Sequence, residues 1–302
     1  MTIDAHSHYM PPEVAAKTAF FKEHWSDADK HLRLMDEYHV HKALILYPTS
    51  DAHINMGGWG NLCDVYNPAI AQLVKGYKDR FIGAGIVPVD SPENISKELK
   101  RIEELGLKVI SLASSYNGIY LDDPIFFEIY EFAQSRNMPI HVHPQIMNPI
   151  GEDRVKDPLL SPVLEYVFDV SMCIGKMMMA GVFLRFSKVN FIFAHYGGVL
   201  PIVKERFDST YMMLRRRGFV KDIYKNPSEY FSNLYFDTSG SKSKASLLAM
   251  LEVVDHRHIL WGSDFPANQN LKDSLGVISH TILSLQERKG LFGQNCMHLL
   301  EK

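Results

Sequence analysis

Residues 81–113 read FIGAGIVPVDSPENISKELKRIEELGLKVISLA, and this stretch decides the fold class. The β-rich runs Phe81–Val87 and Val109–Ala113 flank Pro92–Leu105, in which apolar residues recur at helical spacing. A strand, a helix and a second strand in this order predict a pair of parallel strands joined by a helical crossover.

The same alternation continues in both directions along the chain. Six further β-rich runs alternate with longer segments of helical spacing: Thr2–His6, Ala43–Tyr47, Pro139–His143, Asn190–His195, Leu234–Thr238 and Ile259–Ser263. Eight such units predict an α/β fold, a single-domain (β/α)8 TIM barrel that spans residues 1–302. Residues 144–189 contain too much sequence for one helix, so we expect an insertion of a loop and two helices between strands five and six.

The composition is typical of a soluble globular protein. Its 32 basic and 35 acidic residues are mixed along the chain, which argues against nucleic-acid binding and against a membrane-binding face. No run approaches the roughly 18 apolar residues of a membrane span, and the start lacks a secretory signal pattern, so we expect a cytoplasmic protein. The cysteines Cys63, Cys173 and Cys296 have no CxxC spacing, which argues against a disulfide framework and against a thiolate zinc site.

Histidine triplets of the form His-x-His are over-represented in the chain. With 14 histidines in 302 residues, chance gives roughly one such triplet, yet there are four: His6/His8, His39/His41, His141/His143 and His256/His258. Active sites of this fold lie at the C-terminal ends of the strands. The second and fourth pairs precede strands, so we expect them on the solvated bottom of the barrel.

The remaining strand ends carry ligand-type side chains. His6 and His8 point the same way because alternate residues of a strand share a face. His143, His195 and Asp264 end strands five, six and eight. Three imidazoles and one carboxylate suit a divalent ion such as Zn²⁺, and an imidazole left unbound beside it suits proton transfer. His195 fits that unbound role, although a role as a further ligand stays open.

Two neighbouring polar residues allow alternatives. His141 shares the inward face of strand five with His143 but lies one layer deeper. It either orients a ligand, lines the substrate pocket or is a hydrogen-bonded core histidine. Asp237 ends strand seven in LYFDTSG, where it either bonds a site residue or begins a turn.

Five segments carry a family resemblance. IDAHSHYMPP, HVHP, FAHYGGVLP, YFDTSG and WGSDFP, in this order, resemble the amidohydrolase superfamily, in particular the amidohydrolase-2 branch that contains aminocarboxymuconate-semialdehyde decarboxylase. Residues 162–198, together with LMDEYHVHKALI and YKDRFIGAGIVPVD, resemble the 6-methylsalicylate decarboxylase-like subgroup. The likeness covers nearly the whole chain.

The resemblance implies roles for individual residues. His195 is implied as the catalytic acid/base, and Asp264 as a second group able to manage the proton. A single divalent ion, zinc or alternatively manganese, is implied to bind the four strand-end ligands His6, His8, His143 and Asp264. One ion is preferred to two because strand four ends on serines, without the bridging lysine or glutamate of two-metal members.

The resemblance also implies how a carboxylate substrate is bound. An arginine eleven residues after the strand-six histidine binds the substrate carboxylate, in some members across the interface of a homodimer. Arg206 has that offset in this chain, and its alternative is a surface arginine on a helix. His141 is the second candidate for substrate binding.

The reaction implied is a metal-dependent non-oxidative decarboxylation of a small aromatic or unsaturated acid, of the hydroxybenzoate or aminocarboxymuconate-semialdehyde type. The same mononuclear site could instead hydrolyse an ester, lactone or amide, so hydrolysis stays open. A catalytically silent barrel is disfavoured because His195 and Asp264 are both present. Residues 50–60 (SDAHINMGGWG) match no part of the family pattern, so the substrate is not fixed by the resemblance.

Overall fold

The computed structural model describes residues 1–77, 79–151 and 157–301. Eight strands form one sheet, in which each strand pairs in parallel with the next along the chain. They are β1 Ile3–His8, β2 Lys42–Leu46, β3 Phe81–Gly85, β4 Val109–Ala113, β5 Ile140–His143, β6 Phe191–Phe193, β7 Tyr235–Asp237 and β8 Ile259–Leu260. A short antiparallel hairpin, Ser115–Tyr116 with Ile119–Tyr120, follows β4.

Backbone hydrogen bonds join the first strand to the last and close the sheet. The Ala5 amide donates to the Trp261 carbonyl at 2.8 Å, and the Asp264 amide donates to the His6 carbonyl at 2.8 Å. Closure leaves no free edge at this seam. The predicted single-domain TIM barrel is confirmed.

Helices surround the barrel. The α-helices in the described residues are α1 Pro12–Ala15, α2 Ala28–Glu37, α3 Ala52–Asn55, α4 Trp59–Gly76, α5 Pro92–Glu104, α6 Phe127–Arg136, α7 Tyr166–Met179, α8 Val182–Arg185, α9 Leu200–Arg216, α10 Pro227–Phe231, α11 Lys244–Leu251, α12 Leu271–Ser279, α13 Leu285–Lys289 and α14 Asn295–Leu300. Short 3₁₀ turns cover Glu23–Trp25, Pro124–Phe126, His195–Gly197 and His256–His258, and π-helical turns cover Ser161–Glu165 and Gly290–Gln294.

Helix α5 illustrates how the pattern produces the packing. Pro92 begins it, at a position where the missing amide proton is not needed. Ile95, Leu99 and Ile102 lie on one face at spacings of four and three residues, and all three are fully buried in the main core. Each such side chain contributes roughly 1.5–3 kcal/mol of hydrophobic stabilisation.

Strands β1 and β6 end at residues other than those predicted. Strand β1 continues to His8, because its pairing with β2 extends as far as His8 opposite Leu46. Strand β6 stops at Phe193, because the backbone turns into the left-handed region at His195, where φ is +53°. Both histidines therefore lie at strand ends, where barrel active sites form.

The two histidine pairs at the bottom of the barrel behave differently from each other. His39 and His41 are exposed, as predicted. His256 and His258 are half-buried rather than solvated, and the His258 ring stacks on Tyr235 with centroids 4.5 Å apart. Among the described residues, none of the helices combines the length and the apolar character that a membrane crossing needs.

Candidate active site

Four side chains converge at the C-terminal end of the barrel. The Nε2 atoms of His6 and His8 lie 3.0 Å apart, and Oδ1 of Asp264 lies 3.4 Å from the first and 3.3 Å from the second. His143 completes the group, since one ligand atom from each residue lies within 4.8 Å of all the others. The three histidines are buried and Asp264 is partly exposed, so the group opens to solvent on one side.

Hydrogen bonds fix which nitrogen of each imidazole faces this centre. In all three rings Nδ1 bonds an oxygen that can only accept, so Nδ1 carries the proton and the Nε2 lone pair is left for a ligand bond. The pairs are His6 with Asp237 Oδ2 at 2.8 Å, His8 with the Leu46 carbonyl at 3.2 Å, and His143 with the Pro144 carbonyl at 2.9 Å.

Burial keeps the rings of His6 and His143 in the neutral form that a metal binds. Desolvation lowers the pKa of His6 to about 4, against the raising effect of Asp237. Desolvation also lowers the pKa of His143 well below its ordinary value, and the neighbouring histidines add to the shift. Burial would raise the pKa of Asp264, but its bond to His8 and the other imidazoles hold it below its ordinary value. Three neutral imidazoles and a carboxylate fit one divalent cation.

Asp237 is the site residue whose role the sequence left open. It is fully buried, and its Oδ2 accepts hydrogen bonds from His6 Nδ1 at 2.8 Å and from His141 Nε2 at 2.9 Å. Burial alone would raise its pKa, but the two histidines hold the pKa well below the ordinary value. Of the two alternatives for Asp237, the structure therefore selects the bond to a site residue.

His141 lies inside the barrel on β5, two residues before His143. Its ring is fully buried and its Nε2 contacts Asp237, while the His6 ring stands edge-on to it at 5.1 Å. His141 is not among the residues that line the cavity described below, so substrate binding by His141 stays a prediction. Its contacts fit the alternative in which it orients the ligand set through Asp237.

His195 lies at the turn after β6, outside the four-residue group. Its ring stacks on His6 with centroids 5.2 Å apart, and its Nδ1 lies 2.8 Å from the hydroxyl of Ser239. Sequence reasoning missed Ser239, although it follows the same strand end as Asp237. With Nδ1 against the protein, the opposite edge of the ring is left for proton transfer.

A cavity of about 1160 Å³ lies above these residues. Its floor includes His8, His143, His195 and Asp264. Its walls are mainly apolar and aromatic, and they come from the segment after β1, from the 144–189 segment and from the start of α9: Phe20, Phe21, Trp25, Ile146, Pro162, Val163, Tyr166, Val167, Pro201 and Ile202. Such a cavity is suited to a small, largely apolar ligand with one end at the metal group.

Arg206 lies outside this lining. It is exposed on α9, one helical turn beyond Ile202 on the same face. Within one chain the structure therefore does not place the predicted carboxylate-binding arginine on the cavity wall.

Residues 3–301 match the family model described as amidohydrolase. The chain belongs to this amidohydrolase family. Over 207 residues it is 30% identical to 2-amino-3-carboxymuconate-6-semialdehyde decarboxylase of Dictyostelium discoideum, a match that covers 68% of this chain and 56% of that protein.

Solved structures share the fold over the whole chain. 5-Carboxyvanillate decarboxylase from Sphingomonas paucimobilis superposes with a TM-score of 0.88 at 21% identity, covering 99% of this chain and 98% of that one. Dihydroxybenzoic acid decarboxylase from Polaromonas sp. JS666, solved with bound manganese and the inhibitor 2-nitroresorcinol, superposes with a TM-score of 0.81 at 21% identity, covering 99% and 96%. The Dictyostelium protein and both solved structures are named decarboxylases.

Proposed function

We propose that this amidohydrolase is a metal-dependent non-oxidative decarboxylase of a small aromatic carboxylic acid of the hydroxybenzoate type. The observation that carries the proposal is the cavity itself, which has an apolar, aromatic wall. Its floor holds two metal-facing imidazoles, one carboxylate and one further imidazole, and the third metal-facing imidazole, His6, is buried beside them. The relatives described above are decarboxylases, and this supports carboxy-lyase chemistry over hydrolysis.

His6, His8, His143 and Asp264 would hold one divalent ion. When bound, the ion supplies positive charge that binds the substrate carboxylate and stabilises the charge that develops during the reaction. We propose zinc, because three imidazoles and a carboxylate are a usual zinc donor set, with manganese as the alternative found in the Polaromonas enzyme.

His195 is the proton donor in this proposal. The pKa of Asp264 is held below its ordinary value, so Asp264 is ionised at neutral pH and has no proton to give. His195 is on the cavity floor, with one ring edge turned away from Ser239. In its doubly protonated form it gives the Nε2 proton to the ring carbon that bears the carboxylate and keeps the proton on Nδ1. The carbon–carboxylate bond then breaks, and its electron pair restores aromaticity as CO₂ leaves.

We further propose that the active form is a homodimer in which Arg206 contacts a substrate carboxylate bound to the partner subunit. Support comes from α7 and the turn before it, where Leu164, Phe168, Met172 and Met179 are between 36% and 43% exposed. Their spacing places them along one side of the helix, and an apolar stripe of this kind is typical of an interface. The described parts of the predicted insertion, residues 144–151 and 157–189, would then shape both the cavity and the interface, while residues 152–156 lie outside the described residues.

We place the protein in the cytoplasm. The support is that Cys63, Cys173 and Cys296 are free thiols, all three buried.

Metal analysis and a CO₂-release screen test the proposed reaction. The protein is purified without added metal, its metal content is measured, and it is then incubated with a series of hydroxybenzoates and with aminocarboxymuconate semialdehyde. We expect about one equivalent of metal and CO₂ release from at least one aromatic acid, with release slower by about 10²-fold or more in His195→Ala. One equivalent of metal with ester or lactone hydrolysis and no CO₂ would overturn the proposal.

A further inference from the structure

Ser239 occupies a junction between the metal-facing residues and the proton donor. It follows β7 and is 2% exposed. Its hydroxyl oxygen lies 2.8 Å from His195 Nδ1 and 3.0 Å from His6 Nδ1, and it is also within hydrogen-bonding distance of Asp237 Oδ1. A single hydroxyl has one proton to donate, so the neighbours decide where it points.

The proton of the Ser239 hydroxyl points to Asp237. Asp237 is a buried carboxylate that can only accept, and its Oδ2 is already engaged by His6 and His141. Its Oδ1 accepts from the Ser239 amide at 3.0 Å and from the His195 amide at 3.2 Å. Donation from the Ser239 hydroxyl to the same oxygen completes the hydrogen bonds of Oδ1. The lone pairs of the Ser239 oxygen are then left to accept from His195.

We propose that Ser239 is a positioning residue for His195: by accepting from Nδ1–H it fixes one tautomer of the ring and turns Nε2 toward the cavity. The proposal rests on the proposed function, in which His195 transfers the proton. Gly240 supports the same orientation, because a Cβ at that position would lie 2.6 Å from His195 Nδ1, so the Nδ1 edge is closely covered by the protein. The Asp237 carboxylate thereby orients two histidines. Its Oδ2 orients the metal ligand His6, and its Oδ1 orients the proton donor His195 by way of Ser239.

Tautomer measurements test the proposal without relying on turnover. Zinc-loaded protein labelled with ¹⁵N-histidine is compared with Ser239→Ala, Ser239→Thr and the control Ser241→Ala, whose hydroxyl bonds Ser246 on the same cavity wall. The His195 resonances are identified by their loss in His195→Ala. At alkaline pH, where the ring is neutral, we expect its single proton on Nδ1 in the unmodified protein and in the Ser241→Ala and Ser239→Thr variants. In Ser239→Ala we expect a mixture of the two tautomers.

A neutral His195 ring with its single proton on Nε2 in the unmodified protein would overturn the proposal. So would an unchanged Nδ1–H pattern in Ser239→Ala.

Kinetic and metal measurements then separate positioning from metal binding. For Ser239→Ala we expect kcat to fall by about 10–100-fold, as for other groups that orient a reacting or ligating histidine, while KM stays within twofold and metal content stays at one equivalent. Metal loss in Ser239→Ala would show that Ser239 supports the metal ligand His6 rather than His195, and it would overturn the proposal. If the unmodified protein decarboxylates no acid, the proposed reaction fails, and the tautomer measurement still decides the role of Ser239.

Discussion

At the scale of single residues, the contact between His6 and His8 carries a direct prediction. Two neutral imidazoles whose Nε2 lone pairs meet at 3.0 Å repel each other unless a cation lies between them. His6→Ala and His8→Ala should therefore each lose most of the bound metal, because each removes one ligand bond. Elemental analysis measures this, with His39→Ala, an exposed member of another histidine pair, as the control. Full metal content in both site variants would refute the ligand assignment.

His195→Ala should behave in the opposite way. The four-residue group does not include His195, so the variant should keep one equivalent of metal. Turnover should fall by about 10²-fold or more, the usual contribution of a general acid. Metal analysis and CO₂ release on the same preparation provide both values, and the exposed His280→Ala serves as the control. Retained turnover would remove His195 from the mechanism.

His31 gives a prediction about pH. Its ring is 2% exposed and stacks on Phe265 at 4.2 Å, and burial lowers its pKa to about 3. In the unfolded chain His31 binds a proton below about pH 6.5, whereas in the folded chain it does so only near pH 3, so stability falls as the pH falls through this window. His31 alone therefore lowers the unfolding free energy by about 1.4 kcal/mol for each pH unit between pH 6 and pH 4.

Denaturant unfolding at several pH values measures that slope. On acidification, the unfolding free energy of His31→Leu should fall less steeply than that of the unmodified protein, and the difference in slope should correspond to the uptake of about one proton on unfolding. The exposed His280→Leu should match the unmodified protein. Parallel slopes for His31→Leu and the unmodified protein would show that His31 is protonated in the folded state.

At the scale of elements, the turn from β6 into α9 depends on Gly198. It has a φ of +73°, and a Cβ there would lie 2.0 Å from the Val167 carbonyl oxygen of α7. Gly198→Ala should lower the unfolding free energy by more than the roughly 1–2 kcal/mol that the left-handed conformation alone costs. Gly218 is the matched control, because its φ is +72° and a Cβ at that position would have no neighbouring atom within 4 Å. Equal losses in the two alanine variants would contradict the close contact with α7.

The elements also show what a sequence reveals and what it does not. Eight strands and the strand-end positions of His6, His143 and Asp264 follow from hydrophobic pattern and barrel geometry, so both could be predicted. Ser239 could not, because a serine after a strand has the same local signal whether it begins a turn or contacts a histidine 44 residues away in sequence. The contact of His141 with Asp237 depends on how far each strand is shifted against its neighbours, which the pattern of one strand does not encode.

At the scale of the whole molecule, the exposed position of Arg206 and the apolar stripe on α7 lead to a test of assembly. An arginine outside its own cavity contributes to catalysis only if a second copy brings it to another cavity. Arg206→Ala and His195→Ala should each be nearly inactive alone, whereas a mixture allowed to exchange subunits should regain activity, because hybrid dimers contain one site with both residues intact. Arg216→Ala, an exposed arginine further along α9, should be active alone. Random exchange of equal amounts makes half of the dimers hybrid, with one complete site in each, so about a quarter of the unmodified activity is expected. No recovery, with subunit exchange verified by mass spectrometry of tagged chains, would show that Arg206 does not act across an interface.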